Sequence, residues 1–178
     1  MQLKCCLFWL FSILGGKACF AQAPAIQWEK SYGGSAYEHC NSALQTSEGG
    51  FITAGSTYST DHDIATNHGL EDFWIVKLSA TGALEWQKTF GGSSYDQARA
   101  IDQTSDGGYI VAGTTTSTDG DMASCSSGTG SYVIKLDNTG SVEWKKCIGG
   151  TNVDYVLTIQ QTTDGGYISA GANQTHDG

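Results

Sequence analysis

Residues 91–117 read GGSSYDQARAIDQTSDGGYIVAGTTTS, and residues 131–150 read SYVIKLDNTGSVEWKKCIGG. Short β-rich runs alternate here with Asp-Gly-Gly and Asn-Thr-Gly turns, the pattern of two successive hairpins. Gln97 to Gln103 reads as a first strand, with Ala98 and Ala100 in phase and Ile101 displaced from it. Tyr109 to Ala112 reads as the second, Tyr132 to Leu136 as the third and Val142 to Ile148 as the fourth. The pattern recurs at a fixed interval: Trp28, Trp86 and Trp144 stand 58 residues apart, within QWEKSYGG, EWQKTFGG and EWKKCIGG. The same interval links Gly33-Gly34, Gly91-Gly92 and Gly149-Gly150, and it links Glu38, Asp96 and Asp154. It also links the turns that begin at Glu48, Asp106 and Asp164, and the glycines Gly55, Gly113 and Gly171. No stretch shows sustained helical periodicity with caps.

A four-stranded unit repeated at this length predicts an all-β chain and, more finely, a partial β-propeller built from 58-residue four-stranded antiparallel blades. The phase sets the parts: a lone strand at 26–32, blade one at 38–90, blade two at 96–148 and a half blade at 154–171. Closed propellers have about four to eight blades, so the chain is read as the N-terminal piece of a longer protein. If it ends at Gly178, uncovered sheet faces call instead for self-association.

These strings resemble the SBBP-type β-propeller repeat of secreted bacterial proteins of Bacteroidetes-like origin. The shared pattern is Gly-Gly-Ser, an Asp a few residues on, a Gly-containing turn, a strand ending in Gly, an Asp-aromatic-Val-x-Lys-Leu strand, and Gly before an aromatic strand. The resemblance runs from Gln27 to Gly178, with Glu38 and Glu48 in place of Asp and Gly130 in place of Asp72. It implies a secreted or cell-surface location, with a C-terminal sorting domain often present in such proteins. Residues 81–86 and 139–144 also resemble the tail of the tryptophan-docking motif of quinoprotein propellers. Asp137 sits one residue closer than that motif requires, so the likeness is read as blade packing, with Trp86 and Trp144 wedged between adjacent sheets, and not as a quinone site.

The N-terminus carries a separate signal. Lys4, the apolar run Cys5 to Leu14 and Ala21-Gln22-Ala23 have the order of a secretory signal peptide, residues 1–23, with the mature domain at 24–178. The apolar run is shorter than the roughly 20 residues that span a bilayer, so no membrane span is expected after signal removal. Of 9 basic residues, Lys4 and Lys17 belong to the signal, which leaves 7 against 18 acidic ones. So acidic a chain is a poor partner for nucleic acid. Cys40, Cys125 and Cys147 remain; export allows one bridge, and the pairing is left open.

Candidate chemistry lies in the loops between second and third strands. Asp61, His62, Asp63 and His68 occupy the first, Asp119 and Asp121 the second, and Asp177 opens a third. Asp61, Asp63, Asp119 and Asp121 are weak calcium candidates, since carboxylates two apart in a Gly-bearing loop converge on a hard cation. The competing reading is Asx turns, in which the same carboxylates accept backbone N–H groups and shape the loop. No other cofactor is expected, and His62 and His68 are read as solvated, because Gly120 and Ser126 replace them one repeat later. Lys77 and Lys135 either neutralise nearby acids or face solvent. Phe73, Trp74 and Tyr132, with Tyr95 and Tyr155, are either core or platforms for sugar rings. No phosphate loop, nucleophile elbow or nucleophile–base–orienter set is present. The expected function is a non-catalytic scaffold, adhesion or protein-interaction module meeting protein or polysaccharide at the cell surface. A carbohydrate-binding propeller beside a hydrolase or sorting domain is one alternative, and a fragment of a propeller enzyme another.

Overall fold

The computed structural model describes residues 25–125, 129–148 and 154–173. It divides into a unit over residues 1–30, whose described residues 25–30 hold no helix or strand, and a unit over residues 31–178 that carries every element. The expected signal peptide lies outside the described residues. No helix among the described residues is long and apolar enough to cross a membrane.

The chain is all-β. Strands β1 (Glu38–Gln45), β2 (Phe51–Thr57), β3 (Asp72–Leu78) and β4 (Leu84–Phe90) pair in sequence order as one antiparallel four-stranded sheet. Strands β5 (Asp96–Gln103), β6 (Tyr109–Thr115), β7 (Gly130–Leu136) and β8 (Val142–Ile148) form a second sheet of the same order. β9 (Asp154–Gln161) and β10 (Tyr167–Asn173) form a two-stranded antiparallel sheet. A single turn of 3-10 helix at Gly120–Met122 lies in the loop before β7. The strand expected at 26–32 is corrected: residues 25–34 are in no strand. A strand is defined by its ladder, and this segment has none among the described residues.

The displaced Ile101 has a structural cause. The register shifts between Ala98 and Ala100, so Arg99 is a bulge residue, and Ala98 and Ile101 reach the same core. The same shift recurs between Cys40 and Ser42 and between Ala170 and Gly171. Each bulge drives a carbonyl toward the facing strand: a Cβ on Gly113 would lie 2.1 Å from the Gln97 oxygen, and one on Gly55 1.7 Å from that of His39. The repeated glycine of the second strand is therefore the partner of the bulge.

Two cores lie on opposite faces of the second sheet. Ile52, Ala54, Phe73 and Ile75 of the first sheet pack with Ala98, Ile101, Tyr109, Val111, Ile134 and Leu136 of the second. On the other face Ala100, Ile110, Ala112 and Val133 meet Val156 and Ile159 of β9. Cover on both faces is why β6 and β7 are buried at every position. Each large aliphatic so buried contributes roughly 1.5–3 kcal/mol. Trp86 stacks edge-on against Tyr109 at 5.9 Å, and Trp144 against Tyr167 at 5.6 Å. Trp86 also carries the β7–β8 turn: a Cβ on Gly140 would sit 3.0 Å from its ring, at a φ of +79°.

Register is held at the Gly-Gly turn end by buried lysines. Lys77 Nζ meets Glu48 at 2.9 Å and Glu85 at 2.8 Å, while Lys135 Nζ meets Asp106 at 2.9 Å and Glu143 at 3.0 Å. Of the two roles read for these lysines, they take neutralisation of acids and do not face solvent. Burial alone would lower both ammonium pKa values, and the hydrogen bonds to the two carboxylates outweigh it and raise them. Burial would push Glu48 up, yet its hydrogen bonds, led by Lys77, bring it down to about 2. Asp106 is held below the usual carboxylate range by Thr104 first and then Lys135.

Two outcomes are expected. Gly140→Ala loses roughly 1–3 kcal/mol in chemical denaturation, because Ala must adopt a left-handed φ and press on Trp86. Stability falls as the pH is lowered from about 4.5 toward 2, where the unfolded Glu48 takes a proton and the folded one resists it. A Lys77→Met, Lys135→Met double variant shows a shallower acid limb across that window in denaturation measured pH by pH.

Candidate functional site

The loops that carry the predicted site residues are tied to the acid that opens the first strand of each four-stranded sheet, Asp96, which is buried, and Glu38, which is half-buried. Asp96 Oδ2 accepts the Gly92 amide and the Ser117 hydroxyl, both at 2.8 Å, and Oδ1 accepts the Thr115 hydroxyl. Thr115 Oγ1 in turn accepts the Ser117 amide at 3.0 Å, which turns the chain out of β6 into its loop. In the first sheet Glu38 Oε1 accepts Ser59 at 2.5 Å and Thr57 at 3.1 Å, and Thr57 accepts the Ser59 amide at 2.9 Å. The acid and the Thr-x-Ser pair thus form one repeated clamp, to which the second sheet adds the Gly92 amide while the first gives its Gly33 amide to Asp63.

The double glycines are there because the loop lies against them. A Cβ on Gly92 would fall 2.4 Å from Asp119 Oδ1, one on Gly34 2.3 Å from Ser59 Cβ, and one on Gly91 2.1 Å from Asp72 Oδ1. Asp61 Oδ1 accepts the Ser35 amide at 2.8 Å, and Asp119 Oδ1 accepts the Ser93 amide at 2.7 Å. These backbone hydrogen bonds hold both carboxyls below the ordinary range. Asp63 Oδ2 accepts the Gly33 amide at 3.0 Å, whereas Asp121 Oδ1 pairs with Lys145 at 2.9 Å. Three of the four carboxylates proposed as calcium ligands thus spend an oxygen on an amide of the segment before the first strand, and the fourth on a lysine of β8. Among the described residues no group of three or more His, Cys, Asp or Glu is arranged to hold a metal ion.

The two histidines are not brought together in one cluster. His62 takes a φ of +54°, and Gly120, its counterpart one repeat on, has +56°: the position demands a left-handed residue, and glycine meets it without strain. His62 is exposed and lies 3.2 Å from Asp61. His68 instead approaches Asp72 Oδ2, with its ring Nδ1 at 2.6 Å and its amide at 2.8 Å. His62, Asp63 and Glu38 share one open depression of about 420 Å³ with Tyr32 and Gly33-Gly34. Gly149, Gly150 and Asp177 lie outside the described residues, as does the side chain of Asp154.

Sequence reasoning missed Glu71 and the place of Asp72. Glu71 is fully buried and accepts Ser56 at 2.5 Å, Gln97 at 2.7 Å and Tyr58 at 2.8 Å. The bond from its hydroxyl to Glu71 is the first cause of a Tyr58 pKa pushed up to about 12. Asp72 is equally buried, and its Oδ1 has no hydrogen-bond partner. Burial raises its pKa, the His68 bonds oppose this, and the charge of Asp96 adds to the rise. Neither acid recurs in the next unit, so the repeat carries no signal for them; the Thr-x-Ser pairs do recur and were legible.

The aromatics divide. Phe73, Trp74 and Tyr132 are buried, and the Tyr132 hydroxyl donates to the Asp121 carbonyl at 2.7 Å, which props the second loop from below. Tyr95 and Tyr155 are exposed. Cys125 and Cys147 form a disulfide that ties this loop to β8, and Cys40 is an exposed thiol. Chemically, the arrangement braces loops: one oxygen of each of Asp61, Asp63, Asp119 and Asp121 is engaged by an amide or a lysine. No protein-family model matches the chain, and no curated protein matches it.

Asp96→Ala is expected to cost about 3 kcal/mol or more, since it strands two buried hydroxyls and an amide. Asp119→Ala, whose partner amide is open to water, costs clearly less; equal losses in denaturation of the two variants would contradict the clamp.

Proposed function

We propose that this chain is part of a β-propeller that serves, outside the cell or on its surface, as a non-catalytic scaffold, adhesion or protein-interaction module. Three features support the architecture: four-stranded antiparallel sheets in sequence order, a spacing of 58 residues between them, and a second sheet covered on both faces. The resemblance of the repeat to the SBBP type and the N-terminal signal pattern support the location.

One observation carries the functional reading. Asp61, Asp63, Asp119 and Asp121 hold loop backbone or a lysine, and do not converge on a common point. Such loops are rigid presenters of backbone and side-chain polar groups, suited to recognition of a protein or polysaccharide. The reading calls for no cofactor. The carbohydrate alternative is favoured by Tyr95, whose exposed ring at the loop end is available to stack on a sugar.

The test is a binding screen of the purified chain against polysaccharides and extracellular proteins. Saturable binding that chelation leaves unchanged, and that is lost when the loop segment 60–68 is replaced by Gly-Ser, is the expected result. Binding confined to polysaccharides and lost with Tyr95→Ala selects the carbohydrate reading. Turnover of any substrate in the screen overturns the non-catalytic one.

A further inference from the structure

Arg99 is the one arginine of the chain, and it stands where the fold asks for no particular side chain. It is the bulge residue of β5, and the same place one repeat to either side holds Asn41 and Leu157. Arg99 is half-buried, and among the described residues no carboxylate pairs with it. Its Nη2 donates instead to Gln97 Oε1. Gln97 is held in turn, since its Nε2 donates to Glu71 Oε2 at 2.7 Å. Glu71 is fully buried and is fixed by the Ser56 hydroxyl at 2.5 Å and the Tyr58 hydroxyl at 2.8 Å, while its carbonyl accepts the Asp96 amide at 2.6 Å. A buried carboxylate is costly, and this one anchors a relay that ends on the guanidinium. A carboxylate in direct contact would also orient Arg99, but it would cancel the charge. The neutral amide of Gln97 orients it and leaves the charge and the remaining N–H donors to another anion. Two tyrosines flank the relay: Tyr95, which is exposed and bridges to Glu71 through the backbone, and half-buried Tyr58, which meets the same Glu71 oxygen as Gln97.

We propose that Arg99, oriented by Gln97 and Glu71, binds the carboxylate of a uronic-acid unit in an acidic polysaccharide, with Tyr95 as the platform for an adjoining sugar ring. The chemistry of the ligand follows from the donors. A guanidinium meets a carboxylate with two parallel N–H···O bonds, a match of shape as well as charge. One arginine in a chain of 18 acidic and 9 basic residues suits a singly charged group, whereas dense sulfate or phosphate calls for several cations. The tyrosines select a sugar over an acidic peptide, because the C–H face of a pyranose stacks on a phenol ring and an Asp or Glu side chain offers no such face. Every residue of the set lies in the first two four-stranded sheets or in the segments that lead into and out of their strands, so no further strand is needed to complete it. This assignment rests on the polysaccharide reading above and adds to it the charge of the sugar and the residue that reads it.

The probe is a galacturonic-acid oligosaccharide titrated into the purified full chain by isothermal titration calorimetry with a chelator present, beside the same oligosaccharide methyl-esterified at its carboxyls. Saturable binding of the acid is expected, about ten-fold tighter than that of the ester, the worth of one charge-assisted pair. Arg99→Gln brings the acid down to the affinity of the ester and leaves the ester unchanged. Arg99→Lys keeps the charge without the planar fork and recovers only part of the loss. Tyr95→Ala weakens acid and ester alike. The ester leaves the protein untouched, so the comparison decides the matter if Arg99→Gln misfolds. Equal binding of acid and ester, or an Arg99→Gln chain that binds the acid unchanged, overturns the assignment and leaves the polysaccharide reading in place. Binding of neither oligosaccharide overturns it too, and the polysaccharide reading falls with it only when neutral polysaccharides also fail to bind. Arg99-dependent binding of poly-glutamate as tight as that of the acid puts an acidic peptide in the site and likewise overturns it.

Discussion

A buried ammonium shared by two carboxylates is the constraint on which the register of each sheet depends. Lys135 reaches Asp106 in the turn before β6, Glu143 on β8 and the Leu136 carbonyl of its own strand. One side chain therefore fixes three strands relative to one another. A slip by one residue would turn the lysine to the opposite face and leave a charge in the apolar interior, a cost of several kcal/mol. The apolar contacts alone tolerate such a slip far better, because neighbouring positions in β6 and β7 are buried on both faces of the sheet.

The other end of each sheet is fixed by a different polar device. Asp96 and Glu38 accept donors from the double glycine or the Thr-x-Ser pair, and so join the first strand to the end of the second. Between these two ends the interior is apolar and the sheets meet face to face. The division assigns separate work to separate interactions: charge sets register at one end, neutral hydroxyls and amides shape loops at the other, and burial supplies most of the stabilisation.

The same division bears on function. A loop whose carboxylates are tied to the segment before the first strand or to a lysine is stiff, and stiffness lowers the entropy lost on binding. The Cys125–Cys147 disulfide acts in the same direction, since it ties the end of the second loop to β8 across a sequence separation of 22 residues. Asp72 and Glu71 depart from this economy. They sit buried where the next unit has Gly130 and Thr129, and the unpartnered Asp72 Oδ1 is a cost with no counterpart in the second sheet.

Residue order by itself determined the order of the strands from Glu38 onward and the turns between them, because alternation and turn chemistry are properties of neighbours along the chain. It also showed the phase error at Ile101 and the recurrence of glycine at 55, 113 and 171, which the structure explains as a bulge and its facing partner. It did not determine that residues 26–32 stay out of a ladder, since a strand exists only with a partner. Nor did it decide whether Asp61 and Asp119 bend a loop, which of three cysteines pair, or that Lys77 and Lys135 are buried. Those outcomes were decided by tertiary structure, because the fate of a polar group depends on the donors and charges that folding brings to it from distant positions. Ser35 lies 26 residues before Asp61, and Asp106 29 before Lys135.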